Sequence, residues 1–149
     1  MKPKTLKSKF IDWFTWIKKS EFVELKEIDC SEDPVRPELD LEFRTSYGRK
    51  IYGLKYDNKI EGIMCLAFTK EVSYYEKDSD TIIAYTVWSR KRGAGKKIME
   101  EALKFAKSKG YKRIVTLSPL TPMATHYHIR NGAKLLGHNP TTQNFEYKL

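Results

Sequence analysis

The chain has 149 residues, 40% of them hydrophobic, and its 28 Lys and Arg against 19 Asp and Glu give a formal charge of +9. That length supports one sizeable core, and the absence of a second apolar block or a linker makes residues 1–149 one expected domain. The charge suits a polyanionic partner, and composition alone does not choose between a phosphorylated small molecule, nucleic acid and an anionic membrane surface.

Residues 1–20 read as an N-terminal amphipathic helix, with Leu6, Phe10, Trp13, Phe14 and Ile17 on one stripe and Lys4, Lys7, Lys9, Lys18 and Lys19 around it. A basic aromatic stripe could dock on a membrane interface or stack on bases, but its commoner fate, packing on its own domain, is expected here. Asp12 interrupts the apolar segment and no small-residue cleavage site follows, so it does not read as a secretory signal. Nothing later approaches the length of a membrane span.

Phe22, Val23, Leu25 and Ile28 predict a first strand, closed by the proline-bearing stretch 31–37. Residues 38–43 are ambiguous between loop and short helix. The runs 51–56 and 59–69, joined by Asp57-Asn58, predict a hairpin. Ile63 to Phe68 is nearly continuous apolar sequence, which predicts a central strand covered on both faces, with Gly62 allowing a bulge or a close approach. Residues 72–80 read as its exposed connection to the next strand.

Ile82, Ile83, Ala84, Tyr85 and Val87 predict a buried strand, and Arg90-Lys91-Arg92-Gly93-Ala94-Gly95-Lys96-Lys97 breaks it. Ile98, Met99, Ala102, Leu103, Phe105 and Ala106 then recur at helical spacing until Gly110 supplies a left-handed stop. A helix N-terminus offers unpaired N–H groups and partial positive charge, and glycines let an anion approach them. Lysines in a first helical turn oppose the macrodipole by about a few tenths of a kcal/mol, a conflict that an anion would relieve.

Arg90-x-x-Gly93-x-Gly95, between that strand and Ile98-Met99-Glu100-Glu101-Ala102-Leu103, resembles the acetyl-CoA motif of the GNAT N-acetyltransferase superfamily. The resemblance implies an α/β (α+β) fold, a central mixed, mostly antiparallel twisted sheet flanked by helices. It implies that the turn of Arg90, Lys91, Arg92, Gly93, Ala94, Gly95 and Lys96 binds the CoA pyrophosphate. The strand near Ala84 and Tyr85 would pair with the pantetheine arm through main-chain hydrogen bonds. Acetyl-CoA would be the acyl donor to an unidentified amine that attacks directly, and the region between the first two strands would lie over that acceptor. A monomer or homodimer is expected.

After Gly110, residues 113–117 predict a short buried strand, and Ser118-Pro119-Leu120-Thr121-Pro122 feeds a helix over 123–130 with Thr121 as N-cap. Asn131-Gly132 ends it, and 145–149 is a final strand after the loop at Asn139-Pro140. Thr121, at the head of this helix, joins the cofactor-binding set that the resemblance implies. The family commonly writes this helix as Ala-x-x-Leu-Tyr-x-x-x-Gly-Phe, its tyrosine protonating the departing thiolate. Here the segment is Ala124-Thr125-His126-Tyr127-His128-Ile129-Arg130-Asn131-Gly132-Ala133. Counting back from Gly132, His128 takes the tyrosine position and is the expected catalytic residue, with Tyr127 about 100° around the helix as the alternative. Either residue could also simply be packed.

His126 and His128 do not share a helix face and no metal is expected. Cys30 and Cys65 show no metal-ligand or disulfide spacing, so reduced thiols and a cytoplasmic location are expected. Thr116-Leu117-Ser118-Pro119 resembles a stretch of the malonyl-CoA decarboxylase branch, which uses a hydroxyl and a histidine; that activity, or a non-catalytic CoA-binding domain, is the alternative function. Thr116 also stands where some acetyltransferases have a proton-relaying glutamate, leaving the general base unassigned. A basic nucleic-acid-binding module is the third reading, and no recognition helix or stacking signature supports it.

Overall fold

The computed structural model describes residues 5–71 and 80–149. The elements run α1 (Leu6–Lys19), β1 (Glu21–Leu25), α2 (Leu41–Thr45), β2 (Arg49–Tyr56), β3 (Lys59–Phe68), β4 (Thr81–Ser89), α3 (Ala94–Ser108), β5 (Arg113–Pro119), α4 (Pro122–Arg130), β6 (Lys134–His138) and β7 (Thr142–Lys148). The strands form one sheet in the order β1-β2-β3-β4-β5-β7-β6, antiparallel except where β4 meets β5. Most of the expected connection at 72–80 lies outside the described residues.

The hairpin forms as its turn chemistry predicts, with Asp57 and Asn58 at φ 50° and 60°, the left-handed pair a two-residue turn requires. β3 is covered on both faces. Met64 and Leu66 pack with Ile82 and Ile114 under Ile98, Met99, Ala102 and Ala106 of α3. Ile63, Cys65 and Ala67 pack on the opposite face with Leu39 and Leu41 of the β1–β2 connection. Gly62 serves both expected purposes. The pairing shifts beside it, between Leu54 and Lys55, and a Cβ there would stand 3.7 Å from that of Ala94, so α3 crosses closely.

α1 differs from its expected packing. Of the predicted stripe, Leu6, Trp13 and Phe14 are exposed and the side chains of Phe10 and Ile17 lie outside the described residues, while Trp16, on a neighbouring row, is buried. The helix docks by that indole, with the Lys91 ammonium 4.5 Å from the ring centre. The chain end also departs from expectation, because β7 begins at Thr142 and β6 precedes it as the edge strand. Leu135 and Leu136 are adjacent and both about half exposed, so β6 lacks the alternation that marks a half-buried strand.

The β1–β2 connection is fastened by an ion pair that no sequence periodicity announces. Arg44 of α2 and Asp33 have fully buried side chains, with Arg44 Nη1 3.0 Å from Asp33 Oδ2. Asp33 also accepts from Thr86 Oγ1 on β4 at 2.8 Å and from the Val35 and Arg36 N–H groups. Arg44 donates further to the Leu39 and Arg36 carbonyls. With its charges matched and its donors satisfied, the pair ties the connection to the sheet.

Candidate active site

β4 and β5 pair only from Thr81 and Arg113 to Ala84 and Thr116. Beyond that point β3 holds β4 as far as Ser89, and β7 holds β5 as far as Pro119, so the two central strands part. Their main chains have no strand partner across the gap, which leaves hydrogen-bonding groups for a ligand. A bulge coincides with the parting, since Cys65 pairs with Thr86 and Leu66 with Ala84, leaving Tyr85 as the extra residue. Ala84 is therefore the last fully paired position and Tyr85 the first in the gap.

The glycine turn closes β4. The Arg90 N–H donates to the Glu61 carbonyl at 2.7 Å, and the Ala94 N–H to that of Lys91 at 3.0 Å. Gly93 is the N-cap of α3 at φ 86°, a conformation that favours glycine, and no side chain caps the helix. The glycines also admit two aromatic rings. A Cβ on Gly93 would stand 3.4 Å from Trp13 Nε1, and one on Gly95 3.2 Å from Tyr127 Cε2. The turn thus lies between α1 and α4.

The five cations around it divide. Arg90 bonds Glu32 of the β1–β2 connection, Lys91 lies over Trp16, and Lys97 pairs with Glu101 at 2.9 Å. Arg92 and Lys96 are exposed and have no ion-pair partner among the described residues. Those two side chains, the N-terminus of α3 without a side-chain cap and the turn's own amides present positive charge and donors that could hold a phosphorylated group.

Tyr127 and His128 point to different places. Tyr127 is half-buried and its Oη donates to the Gly95 carbonyl at 2.6 Å, beside the glycine turn. Burial raises its pKa, so the phenol keeps its proton at neutral pH. His128 is 2% exposed, its ring stacks on Phe145, and its Nδ1 lies 2.7 Å from Tyr147 Oη. Burial brings its pKa down to about 4, so the imidazole is neutral. Thr121 caps α4, its Oγ1 accepting the Ala124 N–H at 3.2 Å. Ser118 Oγ donates to Thr116 Oγ1 at 3.2 Å and both are buried. Ser118 bonds Thr116 and His128 bonds Tyr147, so the two groups named by the decarboxylase resemblance have separate partners.

Sequence reasoning missed Asp33, Arg36 and Arg44, which fix the connection over β4. Arg36 Nε donates to the Tyr85 carbonyl at 2.8 Å, at the point where the strands part. The two prolines of 31–37 were the only local signal of an ordered segment. Among the described residues, no three or more His, Cys, Asp or Glu side chains group as a metal site would, and no helix is long and apolar enough to cross a membrane.

Known proteins share this fold. A Bacillus subtilis acetyltransferase in complex with CoA superposes with a TM-score of 0.67 at 12% identity, over 88% of this chain and 99% of that one. AAC(6')-Ib, in complex with paromomycin and acetyl-CoA, gives 0.67 at 12% identity over 87% and 93%. The PaiA N-acetyltransferase of Thermoplasma acidophilum, with coenzyme A, gives 0.57 at 15% over 73% and 66%. At such identities the likeness is one of fold. No curated protein matches the sequence. A sequence model of the acetyltransferase (GNAT) family matches residues 11–132, a span that takes in β4, the glycine turn and α4. The chain belongs to the acetyltransferase (GNAT) family.

Proposed function

We infer that the protein is an acetyl-CoA-dependent N-acetyltransferase that moves the acetyl group to an amine by direct attack. The observation that carries this reading is the parting of β4 from β5 at the bulge, in a strand that ends on the uncapped N-terminus of α3. A gap with unpaired main chain suits an amide-bearing arm, and the helix end suits its pyrophosphate. The CoA and acetyl-CoA complexes of the similar folds support the same occupant.

The residues then have distinct tasks. The main chain of β4 beyond Ala84 aligns the arm, and the amides of residues 91–96, with the Arg92 and Lys96 side chains, hold the phosphates. The amine nitrogen forms a bond to the thioester carbonyl carbon as the carbon–sulfur bond breaks, and sulfur leaves with the electron pair. We assign the proton for that sulfur to Tyr127 rather than His128. The imidazole is enclosed and bonded to Tyr147, whereas the half-buried phenol carries its proton and, released from the Gly95 carbonyl, would swing on α4 toward the arm to donate. The proton lost by the amine goes to water, from which Tyr127 recovers its own. Thr121 acts through the position of α4. No cysteine is needed, and burial pushes the Cys65 thiol up to about 11. A cytoplasmic location and a monomeric or homodimeric state go with this reading.

Calorimetric titration with CoA, followed by a panel of amines assayed for thiol release from acetyl-CoA, tests it. CoA binding with amine-dependent thiol release is expected. Salt-dependent binding to random DNA without CoA binding would refute it.

A further inference from the structure

Arg36 is fixed at the parting of the strands by contacts that none of the tasks above requires. Its Nε donates to the Tyr85 carbonyl at 2.8 Å, the first β4 carbonyl beyond the last β5 pair. Its own backbone is held on both sides, its N–H donating to Asp33 Oδ1 at 3.1 Å and its carbonyl accepting from Arg44 Nη2 at 2.7 Å. Since Asp33 and Arg44 form the buried pair that ties the connection to β4, the sheet itself sets the position of this guanidinium.

The rest of the group is open. Arg36 is part-buried, and its Nη1 and Nη2 take no protein partner among the described residues. Among the described residues no carboxylate forms an ion pair with the guanidinium: Glu32 bonds Arg90, Asp33 bonds Arg44, and Glu38, Asp40 and Glu42 make no ion pair with it. A guanidinium held through Nε presents Nη1 and Nη2 as two roughly parallel donors, the geometry that grips a carboxylate with both oxygens.

We propose that Arg36 binds a carboxylate of the acceptor, so that the acceptor is an amino-acid-like small molecule carrying its amine and its anion a few bonds apart. The inference rests on the acetyl-transfer reading for where the amine reacts, and it adds what selects that amine. The bond to the Tyr85 carbonyl locates the guanidinium at the gap in which the thioester would lie, so a carboxylate on it brings a nearby amine to the acyl carbon. An amide or a decarboxylated amine leaves the guanidinium without its counter-ion and binds less well.

The experiment uses the full chain saturated with CoA. The common L-amino acids, each beside its carboxamide and, where one exists, its decarboxylated amine, are titrated by calorimetry and then assayed for acetyl transfer from acetyl-CoA. At least one amino acid is expected to bind about 10- to 100-fold more tightly than its carboxamide. Arg36→Gln, whose amide can keep the bond to Tyr85, should abolish that ratio while leaving CoA affinity and melting temperature unchanged. Arg36→Lys should keep part of it. A ratio near one in the wild type, a ratio that survives in Arg36→Gln, or no binding by any amino acid of the panel overturns the proposal. Arg36-dependent binding of an amino acid without acetyl transfer leaves the carboxylate site standing but overturns its occupant as the acceptor, together with the N-acetyltransferase reading; transfer confined to amines without a carboxylate overturns the proposal and keeps that reading.

Discussion

Tyr127 and His128 are adjacent on α4, and one residue step, about 100° of helix, gives them opposite surroundings. The phenol reaches the Gly95 carbonyl beside the glycine turn, whereas the imidazole is enclosed by Phe145 and Tyr147. Tyr127→Phe should therefore lower the turnover number by roughly 10²–10⁴ with acetyl-CoA affinity nearly unchanged, measured on whichever amine proves reactive. His128→Ala should act on the fold instead. It opens a cavity and leaves the buried Tyr147 hydroxyl without its partner, so a loss of about 2–4 kcal/mol in urea unfolding is expected, with turnover per folded molecule little changed. The pH dependence has a definite sign. The folded pKa of His128, about 4, is below the ordinary 6.5, so between those values the unfolded chain binds more protons. Stability from this group is complete above about pH 6.5 and is lost as pH falls toward 4, a change of roughly 3 kcal/mol. The difference between wild-type and His128→Ala unfolding free energies, followed from pH 7 to 4, should shrink accordingly; a constant difference would mean that the imidazole is not held neutral by burial.

At the scale of elements, the β1–β2 connection and the glycine turn are joined by Arg90 and Glu32 and built by different means. The connection depends on a matched buried pair. Arg44→Met should cost about 3–5 kcal/mol because it strands Asp33 as a buried charge, whereas replacing both partners by apolar residues should cost much less, as thermal or urea unfolding would read. Legibility in the sequence follows the same division. Local chemistry announced the hairpin through Asp57-Asn58, the buried strand through Ile82 to Val87, and the turn and helix through Gly93, Gly95 and the apolar row from Ile98. The Asp33–Arg44 pair left no such trace, because two buried charges eleven residues apart have no period, and α2 is only five residues long. β6 was missed because an edge strand with Leu135 and Leu136 both half exposed does not alternate. On α4 the count back from Gly132 rests on the family resemblance, and the contact between Tyr127 and Gly95 exists only because α4 is set against α3.

For the molecule as a whole, the charge of +9 and the sheet topology bear on different stages of one event. In the proposed function charge would bring the polyanionic cofactor in, exposed Arg92 and Lys96 would meet it, and the parted strands would hold it. The rate of CoA association should fall several-fold between about 20 and 300 mM salt, in stopped-flow measurement, while dissociation changes less. A salt-independent rate would separate the surface charge from cofactor capture. The claim on which the rest stands is that CoA lies in the gap between β4 and β5 with its pyrophosphate on the glycine turn. Calorimetric titration of CoA into Gly95→Glu tests it most directly, because the new side chain brings negative charge to the phosphate position and meets Tyr127, 3.2 Å from where its Cβ would stand. With near-UV circular dichroism verifying the fold, a loss of CoA affinity of about 100-fold or more is expected. A folded Gly95→Glu protein that binds CoA as tightly as the wild type would contradict it.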